Sequence, residues 1–331
     1  MQILVASPNF SDAAISALRV AAHIESNEFI VVPCRNQAEI DAACRSDPEV
    51  VIADGFPSGS NPSLRWVQVL SSGVDRLGAT SLWSDDRVQI TTAGGVASSA
   101  IANHAIALIL HRLLGLGSVL TTTRNGGWYE LSRPARQVSG QTLGIIGLGS
   151  IGSRIAAIAE QLGFHLISVE RSTPSGPPRY RLPWVVDLEE GHRPNVTYFS
   201  LNDVLARSDV LVLAAPATNE TRHLISAEAL AKVKPGVIIV NVARGSLIDE
   251  AALIAAVEQG TVGGACLDVT NDEPPPFGSP LRSLENVDLT PHMAGWFEGY
   301  YDEALGLVTT NIARYREGLP LLNVIRPVDT R

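Results

Sequence analysis

Gly147-Leu148-Gly149-Ser150-Ile151-Gly152 stands between a β-branched run, Thr142 to Gly147, and a stretch of helical spacing, Ser153 to Leu162. Each glycine has its own use at this spacing. Gly147 permits a tight turn, Gly149 lets backbone come close to a pyrophosphate, and Gly152 lets a helix pack closely on a strand. Ile155, Ile158, Ala159 and Leu162 fall on one helical face, and His165 to Glu170 reads as the next strand. The stretch is therefore a strand–helix–strand unit with a dinucleotide-binding turn. Glu170 lies 18 residues past Gly152, where an acid takes the ribose hydroxyls of NAD. Arg171 and Ser172 beside it could receive a 2′-phosphate, which keeps NADP open; NAD is favoured because a carboxylate repels phosphate.

The same alternation extends on both sides. Upstream, Ile3 to Ala6, Phe29 to Pro33, Val50 to Ala53, Val67 to Leu70 and Val88 to Thr91 are continuous apolar runs separated by helix-length segments. Such runs mark strands buried on both faces of a parallel sheet. A long helix is expected from Ser98 or Ser99 to about Leu120. Downstream, Val210 to Ala214, Val237 to Asn241 and Gly264 to Asp268 bring the second sheet to at least five strands, and Glu298 to Arg316 reads as a final helix. Ser172 to Ser200, with five prolines, reads as a long loop that borders the adenosine side of the cofactor.

Length and composition bound the rest. At 331 residues the chain suggests two domains, and its 25 basic against 34 acidic residues, a formal charge of −9, argue against nucleic acid as a partner. Of the basic residues 23 are Arg, the bidentate binder of carboxylate and phosphate. Cys34, Cys44 and Cys266 are odd in number and lack metal-ligand spacing, so neither a disulfide framework nor a metal is expected. The N-terminus lacks a basic leader and reads as a strand, which points to the cytoplasm. Ala105 to Leu116, broken by His111 and Arg112, is too short for a membrane span, so no membrane partner is expected.

Three further stretches complete a pattern: Asn241-Val242-Ala243-Arg244-Gly245-Ser246-Leu247-Ile248-Asp249, Leu267-Asp268-Val269-Thr270-Asn271-Asp272-Glu273-Pro274, and Thr290-Pro291-His292-Met293-Ala294-Gly295. With Gly140 to Gly149 they make the chain similar to the D-isomer-specific 2-hydroxyacid dehydrogenase family. The resemblance is dense from about Ser71 to Gly152 and from Asp203 to Gly295, and loose over the first 65 residues. It departs at Asn103, where the family usually has Glu, and in the long loop after Glu170.

The chemistry of these residues stands beside the resemblance. Reducing a 2-keto acid requires a cation to hold the carboxylate and polarise the carbonyl, and a proton donor for the developing alkoxide. Arg244 offers a fixed fork of donors. Histidine titrates near neutrality, which suits His292 to the proton transfer, and a carboxylate such as Glu273 stabilises a protonated ring. The resemblance implies the same catalytic set, Arg244, Glu273 and His292. It implies cofactor contacts at Gly147, Gly149, Ser150, Ile151, Gly152, Ala215, Pro216, Val242, Ala243, Arg244, Asp268, His292, Ala294 and Gly295. It implies substrate contacts at Ser72, Gly73, Val74, Arg244 and His292; Trp296 and Phe297 are added as residues near the substrate mouth.

The expectation is an α/β protein with a Rossmann-type dinucleotide-binding domain and a flavodoxin-like parallel-sheet substrate domain. Residues 99–297 form the first, and residues 1–98 with 298–331 the second. A cytoplasmic homodimer that interconverts D-2-hydroxy acids and 2-keto acids with NAD, or NADP, is the implied protein, similar to glyoxylate and hydroxypyruvate reductases. Two rivals are an NAD(H)-sensing co-repressor-like regulator and a dehydrogenase of another small anion.

Overall fold

In the first part of the chain each apolar run becomes a strand and each stretch of helical spacing a helix: β1 (Ile3–Ala6), α1 (Asp12–Ala21), β2 (Phe29–Val31), α2 (Gln37–Ala43), β3 (Val50–Ala53), β4 (Trp66–Val69) and β5 (Gln89–Thr92). There follow α3 (Ser98–Leu114), α4 (Leu116–Arg124), β6 (Thr142–Ile146), α5 (Ser150–Gln161), β7 (His165–Val169), β8 (Val196–Phe199), α6 (Leu201–Arg207), β9 (Val210–Leu213) and α7 (Ala227–Leu230). The chain continues through β10 (Val237–Asn241), α8 (Glu250–Glu258), β11 (Val262–Leu267), β12 (Val287–Leu289), α9 (Tyr300–Arg316) and β13 (Val324–Ile325). These elements belong to a computed structural model that describes residues 1–21, 28–74, 77, 80–128, 135–169 and 194–325. They divide into two compact units, one drawn from residues 1–97 and 297–325 and the other from residues 98–296.

The first unit is built on a six-stranded sheet of order β13-β5-β4-β3-β1-β2, parallel except for β13. Alternate residues of its strands face opposite layers. Ile3, Val5, Val50, Ile52 and Trp66 pack with Ile15 and Leu18 of α1 and with Ala304, Leu305, Val308 and Ile312 of α9. Leu4, Ala6, Val51, Ala53, Val67 and Val69 pack with Ile40 of α2 on the other face. This is the flavodoxin-like order, with β13 added at one edge.

The second unit is a seven-stranded parallel sheet of order β12-β11-β10-β9-β6-β7-β8, the doubly wound Rossmann arrangement. Ala102, Ala105 and Ile109 of α3 and Ile155 and Ala156 of α5 cover one face, on Leu143, Ile145, Val212 and Val240. Val204 and Leu205 of α6 and Leu253 and Val257 of α8 cover the other, on Leu211, Leu213 and Ile239.

Three local expectations are corrected. The helix read as running from Ser98 to about Leu120 is two helices bent by 65°, because Gly115 between them takes a left-handed φ of 65° that ends the first. The loop read as reaching Ser200 stops earlier, since Val196–Phe199 forms the edge strand β8 against β7. The final helix starts at Tyr300, behind Gly299 at φ 88°, rather than at Glu298. Among the described residues no single helix is long and apolar enough to cross a membrane, and no three His, Cys, Asp or Glu side chains converge as metal ligands.

Candidate active site

The chain order of the second sheet reverses between β6 and β9, and the crevice at the carboxyl ends of such a pair is where doubly wound sheets bind ligands. The glycine turn lies there. Gly147 has φ 101°, and a Cβ on it would stand 2.7 Å from Ala215 Cα and N. A Cβ on Gly152 would stand 2.0 Å from the Gly147 carbonyl oxygen, so α5 can approach the turn only without a side chain at that position. Gly149 differs, because its Cβ would meet no atom within 4 Å. The glycine there serves nothing in the protein's own packing and leaves open the space in front of the α5 N-terminus, where Ser150 and Ile151 begin the helix. An exposed helix N-terminus behind an unobstructed glycine suits a pyrophosphate, so the residues present fit a dinucleotide. Glu170, Arg171 and the loop as far as residue 193 lie outside the described residues.

The carboxyl ends of the neighbouring strands carry the other residues. Ala215 and Pro216 follow β9, and Val242, Ala243 and Arg244 follow β10. Asn241, fully buried, holds the turn after β10: its side-chain oxygen accepts from Ala243 N (3.0 Å) and its side-chain nitrogen donates to Arg244 O (2.9 Å). Arg244 Nη1 donates to Ala243 O at 2.7 Å. The next residue cannot bear a side chain, since a Cβ on Gly245 would lie 2.1 Å from the Thr270 carbonyl carbon. The Arg244 turn is thus pressed against the segment that leads to Glu273.

That segment delivers the acid to the histidine. Glu273 Oε1 accepts from Thr270 N at 3.2 Å, and Glu273 Oε2 lies 2.7 Å from His292 Nδ1. The carboxylate is therefore oriented before it reaches the ring. His292 Nε2 carries no hydrogen-bond partner among the described residues, and the side chain is 51% exposed. His292 itself has φ 51°, a left-handed conformation that a non-glycine residue keeps only when its surroundings impose it.

Asp268 imposes it. Its carboxylate, 3% exposed, accepts from Thr290 Oγ1 (2.6 Å), Met293 N (2.9 Å) and Ala294 N (3.0 Å), while its carbonyl accepts from His292 N (2.8 Å). His104 of α3 supports the same knot, with Nε2 3.1 Å from Thr290 Oγ1 and 3.7 Å from Asp268 Oδ1. Sequence reading singled out Asp268 for the cofactor; the structure shows its carboxylate holding the Thr290 hydroxyl before His292 and the backbone N–H groups of Met293 and Ala294 after it. It passed over His104 and Thr290. The available signal was a histidine placed beside the buried Ala102 and Ala105 in an apolar helix, directly after the Asn103 that was noted and that is exposed.

The remaining sequence-selected residues are placed as follows. Ser72, Gly73 and Val74 belong to the first unit, just past β4. Gly295 and Trp296 end the second unit, and Trp296 is 65% exposed. Phe297 instead packs with Ala93, Val96 and Leu307 of the first unit. All three cysteines are free; burial first and Asp288 second push the Cys266 thiol up to about 12, so it is no nucleophile.

Comparison with known proteins gives a concordant result. The family model for the NAD binding domain of D-isomer specific 2-hydroxyacid dehydrogenases matches residues 106–294. The chain is 30% identical to a D-3-phosphoglycerate dehydrogenase of Archaeoglobus fulgidus over 98% of its own length, and it spans 59% of that relative. It is 31% identical to a hydroxypyruvate reductase of Thermotoga maritima, covering 82% of each. Among solved structures, a glyoxylate reductase from Paecilomyes thermophila superimposes with a TM-score of 0.80 at 27% identity, covering 98% of both chains.

Proposed function

As a member of the D-isomer specific 2-hydroxyacid dehydrogenase family, to which this chain belongs, the protein is an NAD(P)-dependent oxidoreductase, and we propose that it interconverts a small D-2-hydroxy acid and its 2-keto acid, with His292 as the acid/base. The observation that carries the reading is the His292 Nδ1–Glu273 Oε2 pair at 2.7 Å on a side chain that is about half exposed. In oxidation Nε2 takes the hydroxyl proton, and Glu273 stabilises the imidazolium that forms; in reduction the same nitrogen returns the proton to the alkoxide oxygen. The nicotinamide cofactor, when bound, accepts or supplies the hydride at C2. Arg244 holds the substrate carboxylate and polarises the carbonyl through its fork of donors, and Ser72, Gly73 and Val74 offer backbone N–H donors to the carboxylate. The glycine turn, Ala215, Pro216 and Val242 to Arg244 line the cofactor.

NAD is the preferred cofactor in this reading, on the acid at Glu170. A cytoplasmic setting accords with three free thiols. A homodimer accords with Leu114, Leu116, Leu120 and Trp128, which are all exposed on the second unit. Glyoxylate and hydroxypyruvate are the first substrates to try, given the names of the relatives. The test follows absorbance at 340 nm with a panel of 2-keto acids under NADH and then NADPH. Turnover of small keto acids with NADH ahead of NADPH is the expected result. Tight NAD(H) binding without turnover of any acid in the panel would sink the reading.

A further inference from the structure

The first unit has a switch point of its own. Its sheet order reverses between β1 and β3, so the crevice at the carboxyl ends of those strands is the place where a sheet of this order binds a ligand. Three polar side chains from distant parts of the chain meet there. Asn9, after β1, donates from Nδ2 to Asp54 Oδ2 (3.3 Å) and to Tyr301 Oη (2.6 Å); Tyr301, at the start of α9, donates from Oη to Asp54 Oδ1 (3.2 Å). Asp54 directly follows β3. Tyr300 ties α9 to the same edge by donating to Leu70 O at 2.6 Å, two residues before Ser72.

The charge at this place is one-sided. Among the described residues no Lys, Arg or His lies within ion-pair distance of Asp54, whereas ion pairs engage Asp85, Asp209, Asp268 and Asp288. Burial first, and the Asp54 charge second, hold the Tyr301 hydroxyl well above its ordinary range, so it stays a donor toward Asp54. Nothing in the cluster therefore neutralises the carboxylate, which is only partly buried and can accept further donors.

Resting on the function proposed above, we infer that Asn9, Asp54 and Tyr301 read the C3 substituent of the keto acid. They favour a hydrogen-bond donor such as a hydroxyl or ammonium group and disfavour a second anion. The Ser72–Val74 stretch proposed to take the carboxylate leaves the same edge of the same sheet, which puts recognition of the acid's two ends on neighbouring strand ends. A carboxylate facing an anionic substituent repels it, and a site built to accept a donor rejects an analogue that lacks one.

The test compares kcat/KM of the wild type and Asp54→Asn for hydroxypyruvate, 2-oxobutyrate and oxaloacetate, which offer a hydroxyl, a methyl and a carboxylate at similar reach. The wild type should prefer hydroxypyruvate to 2-oxobutyrate by about tenfold and to oxaloacetate by about a hundredfold. Asp54→Asn should raise the oxaloacetate to 2-oxobutyrate ratio by about tenfold. Added salt should narrow the wild-type penalty on oxaloacetate, a readout that needs no variant. Equal use of the three acids by the wild type overturns the inference, and so does a ratio unmoved by both substitution and salt. Absence of turnover with all three removes the proposed function on which it rests.

Discussion

At the scale of single residues, the histidine proposed to move the proton meets a carboxylate that a second contact already orients. Glu273 is oriented by Thr270 N through one oxygen and meets His292 Nδ1 through the other. This arrangement separates two variants. His292→Ala removes the group proposed to move the proton and should lower kcat by roughly 10² to 10⁴. Glu273→Gln keeps an oxygen acceptor for the ring and loses only the charge, so the loss should be smaller, about tenfold to a hundredfold. Single-turnover reduction at saturating keto acid measures both; a His292→Ala enzyme with wild-type turnover contradicts the assignment. The pairing of these two residues was legible in the sequence, because a carboxylate beside a histidine was expected there on chemical grounds. Asn9, Asp54 and Tyr301 were not, since Tyr301 lies more than 240 residues from the other two and the cluster leaves no local pattern.

At the scale of elements, the glycines of the turn answer to different constraints. Gly147 and Gly152 are required by the fold, because a Cβ on either would strike backbone. Gly149 is not, and its backbone has φ −80°, open to any residue. Gly152→Ala should therefore destabilise the protein by more than about 2 kcal/mol, as overpacking against unyielding backbone does. Gly149→Ala should stay within about 0.5 kcal/mol of wild type in stability yet weaken cofactor binding severalfold. Thermal unfolding alongside fluorescence titration with NADH distinguishes them; equal destabilisation by both would refute the division. The strands of both sheets could be read because continuous apolar runs have few other uses. The breaks could not. Gly115 ends α3 inside a pattern whose apolar spacing runs on unbroken, and the four residues of β8 follow Pro194 at the end of a proline-rich stretch that reads as loop.

At the scale of the whole molecule, exposed apolar side chains concentrate on the second unit at Leu114, Leu116, Leu120 and Trp128. If a second copy covers them, Leu116→Asp with Leu120→Asp should convert a dimer to a monomer while leaving the far-ultraviolet circular dichroism unchanged. Sedimentation velocity reads this directly, and a wild-type protein that sediments as a monomer at micromolar concentration removes the proposal. The first unit has a different dependence, on the chain's own late residues. Asn311 of α9, fully buried, donates to Gln68 Oε1 (3.0 Å) and to Leu322 O (3.1 Å), and Trp66 and Thr91 join the same buried chain of hydrogen bonds. Ala304, Val308 and Ile312 close the layer below. During synthesis, residues 98–296 leave the ribosome before any of these arrive. The unit whose sheet is translated first thus waits, with Trp66 and Gln68 uncovered, until the unit encoded inside it has been made, and a chaperone that shields nascent apolar surface has its longest task at the beginning of this chain.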